Sequence, residues 1–235
     1  MSRILILTAV ELEARALARH LELPALPALP FPAFGRGTLR LAPVGLRAAL
    51  LAERWPALRL GLDQPLVISA GVCGALAPEL QTGDLVLPES VIGPSAERLN
   101  VTPTAYARAA GLAPAARHGT LVTSRDVVAT APAKLALRAR TDAVAVDMES
   151  SVILTFAAGA GCPTLVARGV SDTAGESVPA ELIGLVTEAG KLRTARALVL
   201  SVTRPHVLPR ALALRHSTQR ALGAVARLLA AFAAA

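Results

Sequence analysis

The stretch AVAVDMESSVILTFAAGAGCPTLVARGVSD (residues 143–172) reads as strand, helix, strand. Four small apolar residues, Ala143 to Val146, run straight into Asp147 and Glu149, with Met148 between them. An apolar helix of about 149–160 follows, and then "PTLVARGVS" (163–171) repeats the grammar by ending in Ser171-Asp172. A helix of ten or so residues between two apolar strands is the signature of an α/β fold with a partly parallel sheet. A buried strand that ends on carboxylates has two explanations. They are first-turn acids of the next helix, favoured by its dipole, or they are aimed at a ligand.

Moving outward, the alternation continues. "RILILTA" (3–9) predicts a buried strand and 11–20 a helix; "GTLRLAPVG" (37–45) predicts a strand and 46–55 a helix. "PLVISAG" (65–71) is a further strand that opens into a glycine-punctuated turn, "GVCGAL", before an extended segment at 83–92. "HGTLVTS" (118–124) and "DAVAVDM" (142–148) flank a helix at 132–140. The proline-rich "PALPALPFP" (24–32) cannot be helix interior or central strand. From Pro179 the chain turns helical, with Pro205 and Pro209 expected to break it into pieces.

Bulk properties narrow the class. At 235 residues, 53% hydrophobic and 17% charged, the chain is long enough to bury a core without disulfides or metal. Cys73 and Cys162 show no ligand spacing and read as reduced thiols, which together with the charged start "AVELEA" points to a cytoplasmic protein. No run of eighteen apolar residues suggests a membrane span. The net charge of +7 is uneven: after Glu188 come Lys191, Arg193, Arg196, Arg204, Arg210, Arg215, Arg220 and Arg227 and no acid. Such a tail suits an anionic partner, yet 3% aromatic residues and the lack of any recognised motif speak against nucleic acid.

Ligands of open α/β sheets bind where strands end and loops begin. Four places there carry polar or glycine residues: Glu11/Glu13, the turn at Gly71–Gly74, Asp147/Glu149 and Ser171/Asp172. Asp147 and Glu149 are two apart, so an extended backbone sets them on one face with Met148 on the other. Gly71 and Gly74 either admit a ligand to the backbone or merely permit a tight turn. Each feature has a plain structural reading by itself. Together, acids converging on one crevice suit a reaction with a cationic, sugar-centred transition state, as in glycoside cleavage.

These residues resemble the purine nucleoside phosphorylase and nucleosidase superfamily. The resemblance runs in order through "ILILTAVELEA", "APVGLRAALLAERW", "VISAGVCGALAPELQTGDLVL", "GTLVTSRDVV", "AVAVDMESSVI" and "PTLVARGVSDTAG". It implies a single domain with a three-layer α/β/α fold, a mixed, partly barrel-like central sheet and a helical, basic C-terminal portion at 180–235. It implies a homodimer or a larger homo-oligomer, with no cofactor and no metal. The roles it implies are catalytic for three acids: Asp172 protonates the purine, Glu149 takes hydrogen bonds from the ribose, and Glu13 orients or deprotonates the attacking water. Substrate-binding roles are implied for Gly71, Cys73, Gly74, Val128, Met148, Arg168 and Ser171, with Asp147 in support. The position of Asp147 usually holds Glu in the family, and "GVCGA" replaces the common Ser-Ala-Gly-Gly.

Three functions follow. The first is hydrolysis of an adenine nucleoside such as methylthioadenosine or S-adenosylhomocysteine. The second is phosphorolysis, with phosphate as co-substrate, of a bulky adenosyl compound, because "AVDMES" and the basic tail resemble hopanoid-associated phosphorylases. The third is a non-catalytic nucleoside-binding relative. Glu13, and the lack of an Arg before the glycine turn where bacterial phosphorylases bind phosphate, favour hydrolysis, with Arg47, Arg125 and Arg168 as other sources of phosphate contacts. The tail either meets a lipid substrate or membrane surface, or packs on the domain.

Overall fold

A computed structural model describes residues 3–178, Thr187, Ala189, Gly190 and 208–234. Strand β1 (Ile4–Thr8) is wholly buried, and its alternation sorts the core into two layers. Ile4 and Ile6 face helices α1 (Glu11–His20), α3 (Pro103–Leu112) and α6 (Leu208–Ala234). Leu5 and Leu7 face α2 (Leu51–Arg59) and α5 (Ser150–Gly159). A sheet with both faces covered by helices explains why its strands read as continuous apolar runs.

The sheet is mixed and closes on itself. Strand β4 (Leu66–Ala75) pairs with β8 (Ala145–Asp147), β8 with β7 (Arg117–Thr123), and β7 with β5 (Leu85–Ile92). Strand β9 (Thr164–Asp172) then pairs with both β5 and β4, completing a five-stranded barrel. From β4 the sheet extends through β1 and β3 (Leu39–Pro43) to β2 (Phe34–Arg36), and from β5 to β6 (Arg98–Asn100). The expected three-layer fold with a barrel-like sheet is what the chain adopts.

Several local expectations are corrected. The glycine segment 71–75 is no turn but the second half of β4, which has to be ten residues long to reach both sheet and barrel. A bulge between Cys73 and Gly74 absorbs the bend and sets Gly74 level with Asp172. The helix expected at 46–55 is a 3₁₀ turn, Leu46–Ala48, followed by α2, which tolerates Pro56 in its interior. Strand 37–45 is shorter, as β3, and makes a hairpin with β2; α3 and β6 were not expected at all. Thr130 caps the N-terminus of α4 (Ala131–Thr141), accepting from the Ala133 N–H at 3.3 Å.

At the C-terminus, Pro209 does not break a helix; it lies in the first turn of the 27-residue α6, where its missing N–H costs nothing. Leu222, Val225, Leu229 and Phe232 bury one side of α6 in the core. The helix approaches β9 so closely that a Cβ on Gly169 would meet the Ala221 carbonyl oxygen at 2.3 Å. The expected helices between Pro179 and 207, with Pro205 and the basic residues Lys191, Arg193, Arg196 and Arg204, lie outside the described residues. Among the described residues no helix is long and apolar enough to cross a membrane.

Candidate active site

A cavity of about 260 Å³ lies where β1, β7, β8 and β9 give way to loops, against the outer half of β4. Its described wall includes Glu13, Cys73, Gly74, Val128, Asp147, Met148, Glu149, Ser171 and Asp172. Nine of the eleven residues singled out from the sequence therefore meet at one cavity. The other two, Gly71 and Arg168, stand directly behind its wall.

Glu13 enters from the first turn of α1, but it does more than offset the helix dipole. Its Oε2 accepts from the Ala9 and Val10 amides at 3.1 and 3.2 Å, and its Oε1 from the Val72 amide at 3.0 Å. Burial raises its pKa, opposed by Arg168 and these three amides. A carboxylate fixed in this way, yet prone to take a proton, has the character of a general base.

Arg168, from the middle of β9, is fully buried. Its Nη2 pairs with Asp147 Oδ2 at 2.8 Å and donates to Ser69 Oγ at 2.7 Å and Ser150 Oγ at 3.1 Å. Burial opposes its charge, but Asp147, Glu149 and Glu13 outweigh it, so it stays a cation. Gly71 lies opposite in β4 at φ 151°, and a Cβ there would sit 2.6 Å from Arg168 Nη1 and 2.8 Å from Glu13 Oε1. Only glycine leaves room for both side chains at that point.

Asp147 and Glu149 do not share a strand face as the two-residue period suggested. β8 stops at Asp147, and Glu149, at φ −126° and ψ −31°, is already the N-cap of α5. Asp147, Met148 and Glu149 consequently all line the cavity. Asp147 accepts from the Ser150 amide at 3.1 Å and from Thr123 Oγ1 at 2.8 Å besides holding Arg168. It is a helix-start acid and the counter-ion of a buried cation at once.

Glu149 Oε1 accepts from the Arg47 amide at 3.0 Å. Arg47 reaches that position in the left-handed region, at φ 55°, which costs a non-glycine residue about 1–2 kcal/mol. Burial, then Asp147, then Glu13 push the Glu149 carboxyl up to about 7, against the pull of Arg168 and the Arg47 amide. Cys73, also buried, has its thiol pushed up by burial and is a neutral part of the wall.

At the other end, Asp172 closes β9. Its Oδ1 accepts from Ser171 Oγ at 2.7 Å, and Ser171 Oγ lies 3.1 Å from the Cys73 carbonyl. Its Oδ2 pairs with Lys134 Nζ, from α4. Lys134, buried beside Asp172, is a part of the site that the sequence reading missed. The available signal was a lysine on the same helical stripe as buried Leu137, inside the otherwise ordinary "APAKLALRA". Asp126 and Val127, on the loop after β7, also line the cavity and were not foreseen. Among the described residues no cluster of His, Cys, Asp or Glu could hold a metal ion.

The family described as the phosphorylase superfamily matches residues 3–203. The chain belongs to the phosphorylase superfamily. Within that superfamily, it is 32% identical to a futalosine hydrolase of Streptomyces coelicolor, over 86% of this chain and 98% of the relative. Its fold is similar to a 5′-methylthioadenosine/S-adenosylhomocysteine nucleosidase of Neisseria meningitidis bound to methylthio-immucillin-A, with a TM-score of 0.71 at 18% identity and 99% of each chain covered. A futalosine hydrolase of Helicobacter pylori gives the same TM-score of 0.71 at 18% identity, over 99% of this chain and 97% of that one. As a member of this superfamily the chain is an enzyme that cleaves the N-glycosidic bond of a nucleoside.

Proposed function

We propose that the enzyme hydrolyses a purine nucleoside bearing a substituent on the sugar, releasing the base, and that water rather than phosphate is the nucleophile. One observation carries the choice of nucleophile. The described wall of the cavity holds five carboxylates, Glu13, Asp126, Asp147, Glu149 and Asp172, and no lysine or arginine side chain. A phosphate dianion would meet a field of its own sign there, whereas neutral water would not. Of the cations named as sources of phosphate contacts, Arg168 is engaged by Asp147 behind the wall. Arg47 and Arg125 line a separate hollow of about 430 Å³ that shares only Met148 with the cavity.

The same wall suits the chemistry. As the glycosidic bond stretches, the sugar gains oxocarbenium character, which nearby negative charge from Glu149 stabilises. A purine leaves poorly as an anion, so Asp172, at the far end, protonates its N7. Glu13, anchored by three amides, orients the water and takes its proton. Met148 forms the floor beneath the sugar. The hollow beyond it gives a 5′ substituent a place, with two arginines at hand for an acidic one. Each proton and charge in this scheme is served by a side chain of the protein, so no cofactor is called for. Futalosine is the first compound to try, since the Streptomyces coelicolor relative is a futalosine hydrolase.

The test is base release from futalosine, methylthioadenosine, S-adenosylhomocysteine, adenosine and inosine, with and without phosphate. Release at an undiminished rate in phosphate-free buffer, yielding the free sugar, is expected. A strict need for phosphate with formation of a sugar 1-phosphate would replace hydrolysis by phosphorolysis. No release from any purine nucleoside would overturn the purine assignment.

A further inference from the structure

Lys134 is buried without remainder, and that requires explanation. An unpaired ammonium taken out of water costs several kcal/mol. Here each of its three N–H groups has an acceptor: Asp172 Oδ2, the Thr173 carbonyl at 2.6 Å and the Glu176 carbonyl at 2.9 Å. Both carbonyls belong to the loop leaving β9. The same loop is bound to the start of α4 by the Val178 amide on the Ala129 carbonyl at 2.8 Å and by the Ala131 amide on Ser177 Oγ at 3.3 Å. Lys134 is thus the centre of a clamp that fixes the strand end carrying Asp172.

The acceptor set has a second property. If one proton moves from Nζ to Asp172 Oδ2, the resulting amine keeps two N–H bonds on the two carbonyls and accepts the new O–H with its lone pair. Every buried donor and acceptor of the trio is satisfied before and after the transfer. An arginine in this place could not do so, because a guanidinium does not give up its proton.

We propose that Lys134 is the positioning residue of the leaving-group acid. It aims Asp172 into the cavity and passes it the proton that goes on to the base. The inference rests on the purine reading above. In the step, a Lys134 N–H bond breaks as an O–H bond forms on Asp172. That O–H bond then breaks as the purine N7–H bond forms, and the glycosidic electron pair goes to the departing base. Once the base has left, water in the emptied cavity reprotonates Asp172, which passes the proton back to the buried amine.

The experiment uses Lys134→Arg and Lys134→Met in the full chain, with the best purine nucleoside of the wild-type screen and with 4-nitrophenyl riboside, whose leaving group needs no protonation. Both variants should lose kcat on the purine nucleoside by about 100-fold, the scale of general acid catalysis. Cleavage of the nitrophenyl riboside should change by no more than about threefold, a margin well below that scale. Added to Asp172→Asn, either substitution should cost little more, because both act on one proton transfer. The pH dependence of kcat on the purine should also change shape. A Lys134→Arg enzyme that keeps the wild-type rate, or one that loses both substrates equally, would reduce Lys134 to a structural tether. Lys134→Arg retains the charge and carries the test if Lys134→Met fails to fold. A wild-type enzyme that releases no purine refutes the reading beneath; an active wild type with an unimpaired Lys134→Arg refutes the lysine alone.

Discussion

Arg168 and Lys134 are both wholly buried behind one cavity, yet they are set in contrasting ways. Among the described residues Arg168 binds side chains, Asp147, Ser69 and Ser150, and has Glu13 and Glu149 close enough to help hold its charge. Lys134 binds one carboxylate and two backbone carbonyls. On the proposed function, the first arrangement organises the sugar end of the site around a fixed charge, and the second organises the base end around a proton that moves. The difference follows from the side chains themselves, since a planar guanidinium fixes geometry while an ammonium is a proton carrier.

The largest effect should come from removing the fixed charge. Arg168→Met leaves Asp147, Glu13 and Glu149 buried around an apolar side chain, and losing one partner of a buried pair costs about 3–5 kcal/mol. Urea unfolding should show that loss. A variant as stable as the wild type would mean that the acids are neutral in the folded protein, and that the contrast between the two cations is misdrawn.

The next effect separates the two acids beside Met148. Glu149→Gln should lower kcat by about 100-fold, the scale of removing one electrostatic stabiliser of the transition state. Asp147→Asn should cost mainly stability, because its carboxylate is engaged by Arg168, Thr123 and the Ser150 amide. Glu149 also has a stability signature of the opposite sign. Its folded pKa of about 7 lies above the ordinary 4.5, so the folded state binds this proton more tightly than the unfolded chain. Its contribution to stability is therefore full below pH 4.5 and is lost as pH rises through about 7. At pH 8 the penalty is on the order of 3 kcal/mol, and Glu149→Gln should melt higher than the wild type there while the two converge toward pH 4. For the same reason kcat/KM should climb with pH through about 7 in the wild type and lose that limb in the variant.

The contrast also marks what could be read from the sequence. Asp147, Glu149 and Asp172 were visible because each stands at or just after the end of an apolar run, where nothing in the run itself calls for a carboxylate. The barrel was legible only through the family resemblance and not in the local pattern, since its closure depends on β9 pairing with two strands, β4 and β5, that are distant in sequence from it. The glycines at 71 and 74 were misread as a turn because a glycine pair marks close packing as readily as chain reversal; at Gly71 it is packing, against Arg168 and Glu13. Lys134 escaped because a single lysine in an amphipathic helix ordinarily points to water. Its burial depends on the loop after β9, which the helix's own sequence does not encode.

The smallest effect concerns Cys73, which sits in the wall between the two ends. Its register partner is Val170, between Arg168 and Asp172 in β9, so it is placed where a reactive thiol would touch either region. Burial, however, holds it as a neutral thiol, and thiolate is the reactive form. Cys73→Ser should therefore change kcat by less than about threefold, within the range of a conservative polar exchange at a buried site. Alkylation under native conditions should leave the enzyme active. Rapid inactivation by iodoacetamide, with protection by substrate, would show that the Cys73 thiol ionises beside Arg168. Arg168 would then hold a second anion in place, and the sugar end would not be as fixed as its ion pair suggests.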